Sequence, residues 1–477
     1  MISLAKWIAV AALVFAHSFG QPAVAAVPNI ILLMADDQGW GDTGYNGHPH
    51  LRTPHLDQMA KDGIRFQRWY AAAPVCSPTR GSCLTGRHPF RYGVYFANTG
   101  HMKAQELTLA ELLKAHGYAT GHFGKWHLGT LTTEIQDANR GRPGNVKDYS
   151  PPWENGFEVN FSTESKVPTW DPMFRPRGNK SGTWWDPVAD AAAAVEYGTA
   201  YWSQGRQVTD NLRGDDSRVI MDRALPFLEK AVGAKQPFFA VVWFHAPHLP
   251  VVAGPQYTAA YSKFDKYKQH YYGCITALDE QVGRLRSALQ ELGVADNTMI
   301  WYSADNGPEG NEQAPGSSGG LRGRKRSLYE GGIRVPGLVV WPEVVQAGRV
   351  VDTPCVTSDY LPTVLDVIGA SLADDRPVDG VSLLPLLKGQ AGDRAQPIGF
   401  QSRGTKAMVD NRYKLVVSGG KKKGKRASDA YELFDLVEDP GESRDVAAQH
   451  PDVVKRLAQQ LDAWVASCAA SDAERDY

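Results

Sequence analysis

Two pairs of oxygen-bearing side chains stand directly after apolar runs of the chain. Asp36 and Asp37 follow the run IILLMA, and Asp305 and Asn306 follow the run IWYSA. One such pair at the end of a strand is, taken alone, more often a helix cap or a turn. Two pairs in the same sheet register supply only oxygen ligands, which suits a hard divalent cation such as Ca²⁺ or Mg²⁺ better than zinc. We therefore predict that these four residues bind a divalent metal ion.

Basic and nucleophilic side chains follow other apolar runs in the same way. Lys125 and His127 come after one run, His248 after another, and the cysteine-containing segment 76–80 after a third. Ligands of open parallel sheets bind beyond the carboxyl ends of the strands, so these groups are expected to share one edge. Taken singly, a lysine is most often solvated surface and a histidine most often structural. We interpret His245, which precedes the better-placed histidine, as structural or as a support of the site.

The elements that must position these groups follow an α/β pattern. Short continuous apolar runs alternate with polar turns and helical stretches, which is typical of buried parallel strands joined by crossover helices. Thr53 and Thr108 cap two of the helices, which end near Asp62 and His116. The predicted strands are residues 30–35, 65–70, 119–123, 238–244, 299–303 and 335–341. We expect a large, mixed but mostly parallel sheet flanked by helices.

The first 25 residues combine a basic start, a short apolar run and the small-residue stretch AVA. This order is typical of a secretory signal peptide, and the apolar run is too short to span a bilayer. We expect an exported protein, periplasmic or secreted, without a membrane span. No global charge attracts nucleic acid, because 51 Lys and Arg stand against 52 Asp and Glu. The five cysteines, an odd number, imply no disulfide framework.

The rest of the chain is expected to form a catalytic domain, residues 26–370, and a smaller C-terminal α+β subdomain, residues 371–477. Within the first, residues 130–216 are rich in tryptophan, proline and glycine and show little periodicity, which predicts an insert at the substrate cleft. The subdomain is expected to contain a short antiparallel sheet, an exposed basic hairpin loop and a closing helix, at residues 397–417, 419–426 and 451–467.

The cysteine-containing segment is the most specific motif of the chain. Cys76, Pro78 and Arg80 form the pattern C-x-P-x-R, and the sequence LTGR follows at residues 84–87. This combination argues against the usual role of a lone cysteine as a small core residue. Here the chain resembles the sulfatase family, in which the first residue of the motif is oxidised after translation to formylglycine. The resemblance implies an alkaline-phosphatase-like fold and a formylglycine-generating maturation enzyme as a partner.

Further motifs carry the same resemblance over nearly the whole mature chain. They are DDQGWGD at 36–42, GKWHLG at 124–129, APHLP at 246–250, LRGRKRSLYEGG at 321–332 and YELFDL at 431–436. The resemblance implies that the sulfate is held, and the formylglycine supported, by Lys125, His127, His248, Lys325 and Arg80. It also implies that the metal, usually Ca²⁺, is held by Asp36, Asp37, Asp305 and Asn306.

A sulfate monoester needs such a set, because charge develops on the sulfuryl and leaving oxygens in the transition state. In the family, one hydroxyl of the formylglycine hydrate attacks sulfur, and the other later loses a proton and expels sulfate as the aldehyde re-forms. The resemblance gives Asp305 the activation of the attacking hydroxyl and His127 the proton removal in the release step. Protonation of the leaving group falls to His248 with Lys325.

The expected substrate is a sulfated carbohydrate or an aryl sulfate. Aromatic faces stack on sugar rings and arginines pair with further sulfates. The insert residues predicted to bind it are Trp170, Arg175, Arg177, Trp184 and Trp185. The alternative is that the tryptophans pack a small core of the insert. The motif set resembles the arylsulfatase and N-acetylgalactosamine-6-sulfatase branch, which makes galactosamine 6-sulfate a first candidate.

Two other functions stay open at this point. A phosphate or phosphonate monoester hydrolase of the same superfamily would use a similar sheet edge, although two-metal phosphatases need further Asp and His ligands and usually a Ser or Thr nucleophile. A catalytically inactive glycan-binding protein would be expected to have lost Cys76, Lys125 or His248, and all three are present.

Overall fold

The computed structural model describes residues 27–138, 140, 146–178, 185–187, 194–390, 392–418, 421–422, 425–426 and 430–477. The predicted signal peptide, Trp184 and the side chains of the predicted basic loop 419–426 lie outside the described residues, as does the side chain of Trp185. Within the described chain, no helix combines the length and the hydropathy that a membrane span requires.

The strands are short to medium in length. Their bounds are β1 (Asn29–Ala35), β2 (Ile64–Phe66), β3 (Trp69–Tyr70), β4 (Ala119–Lys125), β5 (Val159–Thr163), β6 (Arg177–Gly178), β7 (Trp185–Asp186), β8 (Trp202–Ser203), β9 (Arg206–Gln207), β10 (Phe238–Trp243), β11 (Thr298–Ala304), β12 (Arg334–Val335), β13 (Gly337–Val340), β14 (Arg349–Val351), β15 (Cys355–Val356), β16 (Ile398–Ser402), β17 (Thr405–Val409), β18 (Tyr413–Ser418), β19 (Lys421–Lys422), β20 (Lys425–Arg426) and β21 (Ala430–Asp435).

The helices separate many of these strands. Their bounds are α1 (Pro54–Asp62), α2 (Cys76–Thr85), α3 (Leu109–Ala115), α4 (Asp216–Gly233), α5 (Pro255–Ala259), α6 (Lys266–Glu291), α7 (Glu330–Ile333), α8 (Tyr360–Ile368), α9 (Leu384–Leu387) and α10 (Pro451–Asp472).

A ten-stranded sheet forms the centre of the molecule, in the order β14-β2-β13-β11-β1-β10-β4-β5-β8-β9. The strands β11, β1, β10, β4 and β5 are parallel neighbours. Every residue of β1, β10 and β11 is buried. Because successive side chains of a strand point to opposite faces, both faces of the sheet must be covered. The expected mixed, mostly parallel sheet is confirmed.

Two predicted strands differ from the expectation. Residues 65–70 divide between β2 in the central sheet and β3 in a separate sheet with β12 and β15, and residues 335–341 divide between β12 and β13. Pro336 lies at the second division, where it has no N–H to donate to a ladder. β13 runs antiparallel to both of its neighbours. The single parallel strand expected at 335–341 is therefore wrong, because apolar content does not encode strand direction.

The last part of the chain contains a four-stranded antiparallel sheet, in the order β16-β17-β18-β21. One face of this sheet packs on α10, with Leu415 and Leu457 in a common cluster. The other face packs on the large domain, with Phe400, Tyr70 and Ile333 in a second cluster. The small sheet therefore supports α7 and the segment before it. In the predicted basic loop, β19 and β20 pair as an antiparallel hairpin.

Candidate active site

The predicted polar residues lie at the carboxyl ends of neighbouring strands. β1 ends one residue before Asp36, β11 ends one residue before Asp305, and Lys125 is the last residue of β4. In the sheet, β1 lies between β11 and β10, and β4 pairs with β10. Parallel neighbours end at the same edge, so the fold brings these three side chains together although they are far apart in the chain.

Cys76 opens helix α2 beside this edge and is 2% exposed. Pro78 is compatible with the first turn of the helix, because the N–H groups there have no helical acceptor. Arg80 lies one turn after Cys76, the spacing at which two helical side chains share a face. Its guanidinium donates to Asp305 Oδ2 at 2.6 Å and to the carbonyl oxygen of Lys125 at 2.9 Å. The C-x-P-x-R motif therefore joins the cysteine to the ends of β11 and β4.

Two buried lysines form ion pairs with the aspartates that follow β1. Lys125 Nζ lies 2.6 Å from Asp36 Oδ2, and Lys325 Nζ lies 2.6 Å and 2.8 Å from the two carboxylate oxygens of Asp37. Burial disfavours a charged lysine and is the largest single effect, but the charges of Asp36, Asp305 and Cys76 together outweigh it and raise the pKa of Lys125. For Lys325, burial is again the largest single effect, and the charge of Asp37 together with those of further acidic groups outweighs it and raises the pKa. Both lysines therefore stay positively charged.

The predicted metal ligands offer oxygen atoms that no hydrogen bond occupies. Asp36 Oδ1 and Asn306 Oδ1 are buried and have no hydrogen-bond partner among the described residues. The Asn306 amide nitrogen donates to Asp37 Oδ1 at 2.7 Å, which leaves the amide oxygen for another ligand. Burial and the nearby charge of Asp36 raise the pKa of Asp305 to about 7, as expected of crowded carboxylates. The four residues fit a hard divalent cation, which would offset this repulsion.

Two histidines complete the cluster. His248 donates its Nδ1 hydrogen to the carbonyl oxygen of Leu249 at 2.6 Å, and its Nε2 lies 3.6 Å from Asp37 Oδ2. The carbonyl oxygen of His127 accepts a hydrogen bond from Ser77 Oγ at 2.6 Å, which holds it beside the start of α2. Burial lowers the pKa of both histidines, that of His248 to about 3. Both rings are therefore neutral near pH 7.

His245 is bonded at both ring nitrogens. Its Nδ1 lies 2.8 Å from Asp216 Oδ2, and its Nε2 lies 2.8 Å from Thr163 Oγ1. These bonds tie the end of β5 to α4 and leave no ring nitrogen for a substrate. The contacts agree with its interpretation as a structural residue. All five cysteines are buried free thiols, and burial raises the pKa of Cys76.

Two residues of this region are not marked by any motif. Asn98 Oδ1 lies 2.7 Å from His127 Nε2. Lys166 is half-buried, and burial together with the charges of Lys125 and Lys325 lowers its pKa. Lys166 follows β5 and so obeys the rule that polar residues of a site come after strands. The sequence of β5 contains no continuous apolar run, however, so the pattern does not predict this strand. Asn98 lies in a turn between elements, where no such signal exists.

The insert residues predicted to bind the substrate lie apart from these contacts. Trp170 is half-buried, and its ring packs against the backbone at Gly254. Arg175 and Arg177 are exposed. In the described part of the insert, no hydrogen bond or ion pair joins these three residues to the catalytic cluster, by which we mean Asp36, Asp37, Cys76, Arg80, Lys125, His127, His248, Asp305, Asn306 and Lys325. Packing therefore accounts for Trp170, and the two arginines are available to a ligand.

Comparison with known proteins agrees with this geometry. The sulfatase family model matches residues 28–370, and a model described as N-sulphoglucosamine sulphohydrolase, C-terminal, matches residues 323–467. N-acetylgalactosamine-6-sulfatase of Homo sapiens is 33% identical over 398 residues, which cover 80% of this chain and 69% of that protein. Arylsulfatase A of Homo sapiens is 32% identical over 487 residues, which cover 93% and 90%.

A solved structure also resembles the whole chain. Ps i-CgsB in complex with k-i-k-neocarrahexaose superposes with a TM-score of 0.75 at 27% identity, covering 92% of each chain. The family model spans well over half of the sequence and includes all the residues of the catalytic cluster. The chain belongs to the formylglycine-type sulfatase family and is a sulfuric ester hydrolase.

Proposed function

We propose that this protein hydrolyses a sulfate ester of a sulfated carbohydrate, with a formylglycine made from Cys76 and a bound Ca²⁺ ion. The observation that carries the proposal is the place of Cys76 at the buried start of α2. There the charges of Lys125, Lys325 and Asp305 act on its side chain. Burial raises the pKa of the thiol, so an unmodified cysteine would be a poor nucleophile near pH 7. This supports a nucleophile made by modification of the residue.

The metal would be held by Asp36, Asp37, Asp305 and Asn306, whose free buried oxygens support a hard cation. When bound, Ca²⁺ would supply positive charge to the sulfuryl oxygens and to the attacking hydroxyl. The formylglycine hydrate supplies one hydroxyl to attack sulfur and a second whose deprotonation expels sulfate. Mg²⁺ has the same ligand preference for oxygen and is the second candidate.

The charges of the cluster balance without a metal. When all three carboxylates are ionised, as a bound cation would keep them, they balance three fixed cations, and a divalent cation would leave a net charge of +2. This surplus suits a substrate that enters as a sulfate ester and leaves as sulfate dianion. The groups counted are Asp36, Asp37, Asp305, Arg80, Lys125 and Lys325.

The remaining side chains would divide the proton transfers. His248 Nδ1 is committed to Leu249, so only its Nε2 is available to the leaving oxygen. Because the ring is neutral in the described cluster, it would first bind a proton at Nε2, favoured by the negative charge of the bound sulfate ester, and would then pass it to that oxygen. Lys325, on the same side as Asp37, would stabilise that oxygen as charge develops. His127 would take the proton of the release step, beside Ser77 at the start of α2. Asp305 would activate the attacking hydroxyl.

The similar proteins support a carbohydrate substrate. One relative is named for N-acetylgalactosamine 6-sulfate, and a related structure holds a neocarrahexaose. The exposed Arg175 and Arg177 would pair with further sulfates of such a chain. Trp184 and Trp185 stay candidates for stacking on sugar rings, whereas Trp170 already packs on Gly254. Galactosamine 6-sulfate is the first substrate to test.

Export and maturation belong to the same proposal. Residues 1–25 would direct the chain to the periplasm or the medium. A formylglycine-generating enzyme would oxidise Cys76, and because this residue is buried in the folded chain, it would act before folding is complete. The same burial would protect the finished aldehyde from reaction with nucleophiles in the solvent.

The test combines mass spectrometry with sulfate release. The protein is produced with a formylglycine-generating enzyme, and the peptide that contains Cys76 is analysed for thiol against aldehyde. Sulfate released from galactosamine 6-sulfate and from carrageenan oligosaccharides is measured by ion chromatography. We expect aldehyde and sulfate release from the wild type, neither from Cys76→Ala, and both from Cys83→Ala, a core cysteine of the same helix.

Three results would contradict the proposal in different ways. An unmodified thiol despite an active maturation enzyme would refute the nucleophile. Faster turnover of a phosphonate or phosphate monoester than of any sulfate ester would favour the phosphohydrolase alternative. Tight binding of sulfated glycans without hydrolysis by the aldehyde form would favour the glycan-binding alternative.

A further inference from the structure

A short turn at residues 96–99 reaches the catalytic cluster from outside the sheet edge. Phe96 and Thr99 pair across the turn, with a hydrogen bond from Thr99 N to the carbonyl oxygen of Phe96 at 3.1 Å. Asn98, inside the turn, has φ of 62°, in the left-handed region that asparagine tolerates better than most residues. The side chain of Asn98 is thereby directed to His127.

The contact between Asn98 and His127 determines where the imidazole carries its hydrogen. Asn98 Oδ1 lies 2.7 Å from His127 Nε2. An amide oxygen can only accept a hydrogen bond, so Nε2 must be the N–H donor. Burial lowers the pKa of His127 well below its ordinary value, so the ring is neutral and has a single N–H. Nδ1 is therefore a bare lone pair.

The lone pair at His127 Nδ1 accepts no hydrogen bond from the described residues that would stabilise the fold. His127 Nδ1 is buried, and no hydrogen-bond partner for it exists in the part of the chain that the structure describes. The backbone of the same residue is bonded to Ser77, directly after Cys76. An unpartnered buried acceptor normally destabilises a fold. A buried acceptor without a partner, on a residue whose backbone is bonded to the neighbour of Cys76, is the arrangement expected of a general base.

We propose that Asn98 is a positioning residue that holds His127 in the Nε2–H tautomer, so that Nδ1 acts as the base of the release step. This inference rests on the proposed function. In that step His127 Nδ1 takes the hydroxyl proton, and the electron pair of the broken O–H bond closes the carbonyl. The C–O bond to sulfate breaks, and its electron pair leaves on sulfate.

The C-terminal sheet supports the turn that carries Asn98. The guanidinium of Arg403, between β16 and β17, stacks on the ring of Phe96, with its central carbon 3.9 Å from the ring centroid. A cation–π contact of this kind stabilises the packing of the two side chains. The turn is therefore stabilised both by its own backbone hydrogen bond and by the contact between Arg403 and Phe96.

Two substitutions separate the turn from the hydrogen bond. Asn98→Gly keeps a residue that adopts positive φ freely but removes the acceptor. Asn98→Asp keeps the left-handed conformation and the acceptor oxygen but adds a negative charge. Thr99→Ala, at an exposed position of the same turn, is the matched control. Each variant is produced with residue 76 converted to formylglycine and is assayed with an aryl sulfate. The released aryl product and the released sulfate are measured separately.

For Asn98→Gly we expect only the second half of the reaction to slow. kcat should fall about tenfold or more, since general-base catalysis contributes 10²–10⁴-fold and orientation is part of that contribution. kcat/KM should stay at the wild-type value, because it reports only the steps up to departure of the aryl group, so KM falls with kcat. A burst of about one aryl product per enzyme should precede slow turnover. A merely structural defect would lower kcat/KM instead.

For Asn98→Asp we expect a change in pH dependence. The charges that face His127 are those of Lys125, Arg140, Arg80 and Asp36. A carboxylate at position 98 adds a negative charge that favours the imidazolium, which cannot serve as a base. The pH below which kcat declines should therefore move upward, with kcat at high pH close to that of the wild type.

A direct measurement of the tautomer does not depend on turnover. In the unmodified cysteine form labelled with ¹⁵N-histidine, long-range correlations should show His127 with its hydrogen on Nε2 in the wild type. Asn98→Gly should lose this preference, and a His127→Gln variant identifies the signal. A wild-type hydrogen on Nδ1 would overturn the inference.

The kinetic outcomes separate this inference from the proposed function. If the wild type carries the aldehyde and turns over, but Asn98→Gly behaves like Thr99→Ala or loses kcat/KM as much as kcat, only the role of Asn98 is refuted. If the aldehyde-bearing wild type releases no sulfate from any sulfate ester, the proposed function fails and the release-step role fails with it.

Discussion

A buried ionic cluster between the large domain and the C-terminal sheet offers a quantitative test of the fold. Lys414, on β18, lies 3.0 Å from Glu330 Oε1 and 2.9 Å from Glu442 Oε1, and all three side chains have 0% exposure. The hydroxyl of Tyr70 donates to the second oxygen of Glu330 at 3.0 Å. Glu330 opens α7, at the end of the segment that carries Lys325. The substitution Lys414→Met keeps the alkyl stem and removes the charge.

The expected loss of stability follows from the two buried carboxylates that remain after the substitution. Without the ammonium group, two carboxylates face each other in a buried site, and among the described residues Tyr70 and Arg334 are the side chains left to compensate Glu330. Removal of one member of a buried ion pair costs about 3–5 kcal/mol, mainly because the remaining charge is uncompensated. We expect the free energy of unfolding of Lys414→Met to fall by about this amount at pH 7.5.

The loss should depend on pH with a definite sign. In the wild type, burial raises the pKa of Glu442 to about 7, against the opposing charge of Lys414 and with the added charge of Glu330. Removal of Lys414 removes the opposing charge, so the pKa of Glu442 in the folded variant should be higher still. A group whose folded pKa lies above its unfolded value loses stability as pH rises through the folded pKa. The deficit of Lys414→Met should therefore be smaller at pH 5.5 than at pH 8.

The assay is equilibrium urea unfolding at both pH values, followed by tryptophan fluorescence and by far-UV circular dichroism. Coincident curves from the two probes are required before a free energy is extracted. Lys406→Met on β17 is the matched control, since among the described residues Lys406 forms no ion pair, and it should change stability by less than about 0.5 kcal/mol. A loss below about 1 kcal/mol, or a deficit that grows toward low pH, would refute the reasoning.

Three further predictions concern the site and the acid stability of the fold. Chelation with EDTA, which binds both Ca²⁺ and Mg²⁺, should abolish activity and lower the melting temperature, with recovery on addition of Ca²⁺. Asn306→Ala should raise the Ca²⁺ concentration needed for recovery, and activity that survives EDTA would contradict the metal site. Lys125→Ala should lower kcat/KM at least about 100-fold by removing counter-charge from the transition state, whereas the exposed Lys114→Ala should not. Burial lowers the pKa of His88 from 6.5 to about 3, so at this residue the unfolded chain binds more protons and its contribution to stability falls as pH drops below about 6.5. The change in urea midpoint from pH 7.5 to pH 5 should therefore be less favourable in the wild type than in His88→Gln, and the same change in both would exclude this effect.

Much of the site could be predicted because its residues follow strands with strong local signals. The runs before Asp36 and Asp305 are continuous and apolar, and the structure has them as β1 and β11, parallel neighbours in the central sheet. The rule that polar groups cluster at the carboxyl ends of such strands then places the two pairs together. The C-x-P-x-R pattern identifies Cys76 because its residues share a helical turn, which is also a local property.

The sequence by itself therefore determined the family, the parallel core and the set of polar residues expected at one edge of the sheet, since each depends on contacts between near neighbours or on a repeated pattern. Tertiary structure alone decided which lysine pairs with which aspartate, that β13 runs antiparallel, and that Asn98 reaches His127 across 29 positions. Strand order and turn placement arise from packing between distant segments. Hydrophobic periodicity indicates that a residue is buried, but it does not indicate which residues it packs against.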